Sequence, residues 1–254
     1  MKQSIKLLLV LFLVSSLFTN CKKDSNKGPE EEPEETEKDL LTKVPTETPS
    51  SLYLIQPSGT SVELTKDGSA FSSPNYISLE QDVDYSFNTK ADGTGTAYLI
   101  AEPLSAYDYA DDDKVIWDDP LLEVTQGKGH FNVARSQAYK LSVDFSKAQL
   151  TWQYYNIKLF YYTDWEQRTE VLLSYKHPFT FEKTLTLPAD NNMKFYSVNP
   201  DWYEWGAADE NSFTGTIGLF EGKDIIAVKE AANYQVSITL DNDLETGTYS
   251  FTKQ

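Results

Sequence analysis

Hydrophobic and polar positions alternate along the last part of the chain. Tyr234, Val236, Ile238 and Leu240 are separated by Gln235, Ser237 and Thr239, and beyond Asn242 and Gly247 come Tyr249 and Phe251. A period of two marks a strand buried on one face, and the intervening turn residues predict a hairpin. Short runs of the same kind, rich in Tyr, Phe, Thr and Val and broken by Gly, Asn, Asp and Pro, extend back to about residue 51. No helical period of useful length interrupts them, so an all-β body is expected.

The pattern occurs twice. Gly127-Lys128-Gly129-His130-Phe131-Asn132-Val133 leads to Tyr139, Leu141, Val143 and Phe145, while Gly222-Lys223-Asp224-Ile225-Ile226-Ala227-Val228 leads to Tyr234, Val236, Ile238 and Leu240. Gly127/Gly222, Lys128/Lys223, Val133/Val228, Tyr139/Tyr234 and Ser142/Ser237 share one spacing of 95, since 222 − 127 = 95. Upstream the match is looser, pairing Tyr53-Leu54-Ile55 with Lys158-Leu159-Phe160 and Tyr85-Ser86-Phe87 with Lys194-Phe195-Tyr196. The first copy needs a longer loop before its Gly-Lys corner. Two tandem β-sandwich modules of a carbohydrate-binding or immunoglobulin-like type are expected, at residues 51–152 and 153–254. About 100 residues per module is enough for an independent core.

What precedes residue 51 reads differently. Lys2 and Lys6 flank a start that runs into the uncharged stretch Leu7–Val14, the layout of a secretion signal too short to span a hydrocarbon core of roughly 30 Å. Leu17-Phe18-Thr19-Asn20-Cys21 resembles the lipobox of bacterial lipoproteins, with Asn20 where a small residue is usual. Cys21 is the one cysteine, so no disulfide partner exists for it, and acylation of its sulfur is the expected use. Residues 1–20 are therefore read as a signal peptide, and 21–50, with its Pro-Glu runs and no aromatics, as the lipidated cysteine and an extended acidic linker.

The net charge of −17 argues against nucleic acid as a partner, because phosphate binding needs clustered Lys and Arg.

The lipobox, the acidic tether and the tandem repeat, with its Gly-Lys corner, its Tyr-x-Val-x-Ile-x-Leu strand and its Thr-Tyr-x-Phe strand, together resemble the SusE/SusF outer-membrane lipoproteins. The resemblance covers nearly the whole mature chain and is closest from Met193 to Lys253. It implies surface-exposed, non-catalytic β-sandwich modules. These would hold polysaccharide or oligosaccharide near a TonB-dependent importer, on a lipid anchor facing the cell exterior. Acidic residues after the lipidated cysteine accompany outward orientation in that family; here Lys22 and Lys23 come before Asp24.

A sugar ring offers an apolar C–H face and a polar rim, which suits Trp and Tyr. The segment Asn199-Pro200-Asp201-Trp202-Tyr203-Glu204-Trp205-Gly206 concentrates them, and its Asn-Pro signal predicts that the preceding strand ends near Val198. Trp202, Tyr203 and Trp205 are accordingly expected on connecting backbone, as glycan contacts. Trp165 is expected as a second wall, and Lys194 and Lys223 as hydroxyl partners. The first copy offers Tyr107, Tyr109 and Trp117 amid Asp108, Asp111, Asp112, Asp113, Asp118 and Asp119. That acidic cluster lacks the glycine and terminal glutamate of an EF-hand loop, and Asp241, Asp243 and Glu245 are explained by a hairpin turn, so no calcium or other cofactor is assigned.

A hydrolase is the competing class. With only His130 and His177, both at turn-like positions, there is little material for a His-dependent triad or a three-His zinc site, and no nucleophile elbow or phosphate loop occurs. A glycosidase needs only two carboxylates, which composition supplies, but the repeat falls on core strands of small units. A protein-binding adhesin or assembly factor is the other alternative.

Overall fold

A computed structural model describes residues 41–101, 116–126 and 128–254. Cys21, the signal segment, Tyr107, Tyr109 and Asp108 to Asp113 lie outside the described residues. The described chain is almost entirely β-structure; its one helical segment is a single 3₁₀ turn, Trp165–Gln167. Among the described residues no helix is long and apolar enough to cross a membrane.

The first module begins with β1 (Thr42–Lys43), β2 (Tyr53–Ile55), β3 (Ser61–Glu63), β4 (Thr65–Asp67), β5 (Ala70–Ser72) and β6 (Ile77–Leu79). It continues through β7 (Ser86–Asn88), β8 (Ala97–Ile100), β9 (Ile116–Val124), β10 (Gln137–Asp144) and β11 (Gln149–Gln153). The second holds β12 (Lys158–Tyr162), β13 (Thr169–Leu172), β14 (Ser174–Lys176), β15 (Thr180–Leu187) and β16 (Asn192–Ser197). It closes with β17 (Tyr203–Ala207), β18 (Thr214–Leu219), β19 (Ala232–Leu240) and β20 (Thr246–Lys253).

The two sheets share one topology. Their orders are β3-β2-β7-β8-β9-β11-β10-β5-β4 and β13-β12-β16-β17-β18-β20-β19-β15-β14, with β1 on β9 and β6 on β10 beside the first path. Leaving out β1 and β6 and counting each module from its own first strand, both read 2-1-5-6-7-9-8-4-3. Each sheet folds over itself, because strands far apart in that order share a core. Leu54, Phe87, Phe71 and Val143 lie in one buried cluster, and Leu159, Phe195, Phe181 and Ile238 in the other. This is the tandem, all-β sandwich arrangement expected from the alternation.

The expected hairpin is β19–β20, where Val236 faces Phe251 and Ile238 faces Tyr249, all buried. Its counterpart is β10–β11, where Leu141 faces Trp152 and Val143 faces Leu150. The repeated tyrosine makes the same hydrogen bond in both copies: Tyr139 donates to the Arg135 carbonyl at 2.8 Å and Tyr234 to the Glu230 carbonyl at 3.1 Å, each four residues back.

Upstream, the looser match was out of register by one residue. Leu54 faces Phe87 as Leu159 faces Phe195, so Ser86-Phe87-Asn88, not Tyr85-Ser86-Phe87, occupies the place of Lys194-Phe195-Tyr196. A shift of one residue turns every side chain of a strand to the other face. Tyr85 and Phe87 share one parity, so the period of two alone does not distinguish the two registers.

The modules differ at two further places. Residues 41–50 are not wholly tether: Thr42 and Lys43 pair with Val124 and Glu123, Lys43 forms an ion pair with Glu123 at 3.2 Å, and the Leu41 carbonyl accepts from Thr125 N at 2.8 Å. Further on, the continuous strand β15 of the second module is split in the first into β5 and β6. Phe71 and Phe181 occupy matching places, as do Leu79 and Leu187, but eight residues separate the first pair (79 − 71) and six the second (187 − 181). The interruption is Ser73-Pro74-Asn75-Tyr76, where Pro74 cannot donate to a sheet ladder.

That interruption meets the second module. Tyr76 N donates to the Asn242 carbonyl at 2.8 Å, Asn75 Nδ2 donates to Asn242 Oδ1 at 3.1 Å, and Ser78 Oγ lies 2.6 Å from Tyr175 Oη and 2.5 Å from His177 Nδ1.

Candidate functional site

In β12 the residues Leu159-Phe160-Tyr161-Tyr162 are apolar on both parities, so this strand has two apolar faces instead of one. Leu159 and Tyr161 join the core with Met193 and Phe195 of β16. The other face is laid out by register: Phe160 lies between Glu170 and Lys194, Tyr196 between Lys158 and Glu204, and Tyr162 beside Asn192.

On this outer face Phe160 and Tyr196 stack with ring centroids 4.5 Å apart and 29° between planes. Neither belongs to the main core, yet both are buried, because two tryptophans close over them. Trp165 opens the 3₁₀ turn, which Asp164 caps by accepting from Glu166 N at 3.1 Å. Its ring lies 5.1 Å from Tyr162, 5.6 Å from Tyr196 and 6.0 Å from Phe160. The Arg168 guanidinium sits 4.5 Å over the Trp165 ring and 5.3 Å over Phe160. Trp202, from the loop between β16 and β17, lies 5.2 Å from Tyr196 and 6.2 Å from Trp165, edge to face at 67°. It remains 45% exposed, which leaves an indole surface open to a ligand.

The polar rim is already paired. Lys194 Nζ lies 3.2 Å from Glu204, while Lys158 and Arg168 share Glu170 at 3.6 and 3.0 Å. Tyr162 donates to Asp224 at 2.7 Å. Burial, followed by that carboxylate, pushes the Tyr162 hydroxyl up from the usual tyrosine range, and burial with Glu204 nearby does the same for Tyr196. Both are therefore neutral hydrogen-bonding groups at ordinary pH. The result is an aromatic platform edged by three cations and three carboxylates whose charges offset one another.

Three of the expected residues come together here: Trp165, Trp202 and Lys194. Others do not. Trp205 is fully buried and its indole N–H donates to the Leu244 carbonyl at 2.7 Å, so it is a core residue and cannot stack on a sugar. Tyr203 packs toward the core side, stacked on Tyr155 at 4.5 Å. Both lie within β17 at alternating core positions, and only Trp202 sits on the connecting backbone, after a strand that ends at Ser197.

Lys223 belongs to the Gly-Lys corner, which exchanges backbone hydrogen bonds with Ala207 at 2.8 and 2.9 Å; its amine lies 3.7 Å from Glu210, away from the platform. Gly222 there adopts φ 77°, and a Cβ on it would lie 2.5 Å from Gly206 backbone.

In the first module Trp117 stacks on Trp152 at 6.1 Å, while Asp118 accepts from the Thr151 hydroxyl and Asp119 from the Trp152 indole, both at 2.6 Å. These contacts make that segment part of the sheet's own packing. Asp243 accepts from Glu245 N at 2.9 Å and Asp241 from the Thr246 hydroxyl, which are turn contacts.

Phe160, Tyr162, Tyr196 and Arg168, the floor and flank of the platform, were missed in the sequence. The signal was present in the doubled aromatic parity of β12 and in Phe195-Tyr196.

No protein-family description matches the sequence, and no curated protein does. Among solved structures the chain is similar to SusF from Bacteroides thetaiotaomicron, at 15% sequence identity and a TM-score of 0.33, over 81% of this chain and 49% of that one. The chain thus spans about half the length of that structure.

Proposed function

We propose that this protein is a non-catalytic glycan-binding lipoprotein, anchored in the outer membrane through a lipid on Cys21 and facing the cell exterior. There it would hold polysaccharide or oligosaccharide for a Sus-type uptake system with a TonB-dependent importer. The observation that carries the reading is the open Trp202 indole beside Trp165, above Phe160 and Tyr196, on the outer face of the second module. Stacking surfaces with a hydrogen-bonding rim suit pyranose rings. The resemblance of the lipobox, tether and repeat to the SusE/SusF lipoproteins supports the same reading.

Each stacked ring contributes on the order of 1 kcal/mol beyond its burial. With a few net hydrogen bonds, binding falls at about −4 to −6 kcal/mol, roughly millimolar to tens of micromolar. That is weak for a trap in solution and adequate for a repeating polymer at a surface.

The test is affinity electrophoresis of the wild-type protein in native gels containing soluble starch, β-glucan, mannan or fructan. At least one glycan retards it, and Trp202→Ala and Trp165→Ala abolish the retardation while the variants stay folded. Unchanged wild-type migration in every gel overturns the glycan reading in favour of a protein partner. Cys21→Ser, expressed in a Gram-negative host, moves the protein from the membrane fraction to the soluble one.

A further inference from the structure

The loop that carries Trp202 is held from two sides. On one, Trp202 lies against Tyr196 and Trp165. On the other, its neighbours in the chain turn toward the connector between the modules. Tyr155 donates a hydrogen bond to Asp201 at 3.2 Å, and the Tyr155 ring stacks on Tyr203 at 4.5 Å and 18°. Tyr155 belongs to neither sheet path, since β11 ends at Gln153 and β12 begins at Lys158. It is nonetheless buried, and the first module reaches it through Tyr76, whose ring centroid is 6.0 Å away. Tyr76 in turn is fixed to the second module by its backbone bond to Asn242.

Asp201, Trp202 and Tyr203 are consecutive, and adjacent Cα atoms are about 3.8 Å apart, so a shift of Asp201 or Tyr203 is handed directly to the Trp202 backbone. We propose that Tyr155 is a positioning residue for the platform: through Asp201 and Tyr203 it fixes where Trp202 stands, so the junction between the modules sets the affinity of a site on the second module alone. This rests on the glycan-binding reading of that site. It assigns a binding role to a connector residue that cannot itself reach the ligand.

The test uses the full-length chain with Tyr155→Phe, Asp201→Ala and the pair combined. Tyr155→Phe keeps the ring and its stacking and removes only the hydroxyl, and Asp201 is exposed, so both variants fold. The first readout needs no ligand. Acrylamide quenching of Trp202 is obtained as the difference between each protein and its Trp202→Phe derivative, and both single variants raise it.

The second readout is retardation by whichever of starch, β-glucan, mannan or fructan slows the wild type. It weakens by about three- to tenfold, the effect of losing one net hydrogen bond, and the double variant is no worse than the singles. Quenching and affinity equal to wild type, with only a lowered melting temperature, would make Tyr155 an ordinary junction residue and overturn the proposal. If no glycan slows the wild type, the glycan reading fails, and the quenching comparison still decides whether Tyr155 positions Trp202.

Discussion

The two modules share a strand order and differ on one face. At matching register positions the second carries Phe160, Lys194 and Tyr196, and the first carries Ile55, Ser86 and Asn88. Asn88 is not a vacant version of Tyr196. Its side chain accepts from Lys90 N at 2.9 Å and Gly95 N at 3.0 Å and donates to the Gly93 carbonyl at 3.0 Å, so it pins the β7–β8 turn. Gly95 fits there because a Cβ would fall 2.7 Å from Asn88 Oδ1. One position thus serves a turn in one copy and a stacking surface in the other. Core positions constrain the fold, and the outer face of the same strands is free to diverge.

The largest test of this contrast is Trp205→Ala, which empties a core site and strands the Leu244 carbonyl. It lowers the free energy of unfolding by about 3–5 kcal/mol in denaturant titration, whereas Trp202→Ala, three residues earlier and half exposed, lowers it by about 1–2 kcal/mol. Equal losses would place both indoles in one environment.

Asn88→Ala comes next. It leaves turn amides without their partner and costs about 1–3 kcal/mol, with amide exchange rising in residues 89–96. Tyr196→Asn, the reverse exchange, removes a ring buried under Trp165 and Trp202, costs about 3 kcal/mol, and abolishes glycan retardation. The loss of binding without unfolding is the discriminating outcome.

The smallest effect belongs to the hairpin turn of the first module. Hydrogen bonds from Ser146, with Ser69 and Lys147 close by, lower the Asp144 carboxyl to about 2. A depressed pKa stabilises the fold above the ordinary carboxylate range and ceases to do so as pH falls through the folded value. Between about pH 4 and pH 2 the wild type therefore loses this contribution, and Asp144→Asn, lacking it throughout, shows a flatter acid dependence of melting temperature over that interval.

Strand alternation and the spacing of 95 made the fold class and the duplication legible, because both depend on core positions that cannot change parity. The register of β7 was not legible. Tyr85 and Phe87 satisfy the period of two, and only the partner strand, with Leu54 opposite Phe87, decides which residue of the second copy each one matches. Nor was the split of β15 into β5 and β6 legible, although Pro74 marked the spot.

At the site, the pairing of Trp165 with Trp202 was expected, while Trp205 and Tyr203 were misassigned. The Asn-Pro signal places a turn before Asp201 but does not say where the next strand begins, and β17 begins at Tyr203, one residue after Trp202. From there Tyr203 and Trp205 fall on the core parity. Phe160 and Tyr196 escaped notice because aromatics in strands are read as core, and a strand apolar on both sides carries no mark of which side is covered by tryptophan.

The short strand β1 has a mechanical meaning. In a chain pulled from its N-terminal side, load enters the fold at Thr42 and Lys43, whose two ladder positions on β9 and the Leu41–Thr125 bond are few compared with the eight pairs joining β15 and β19. β1 yields first, the Lys66–Pro49 hydrogen bond follows, and residues 41–50 pay out as line, about 34 Å when extended. An extension imposed from that side is thus taken up as slack before the longer ladders of the sheets are strained.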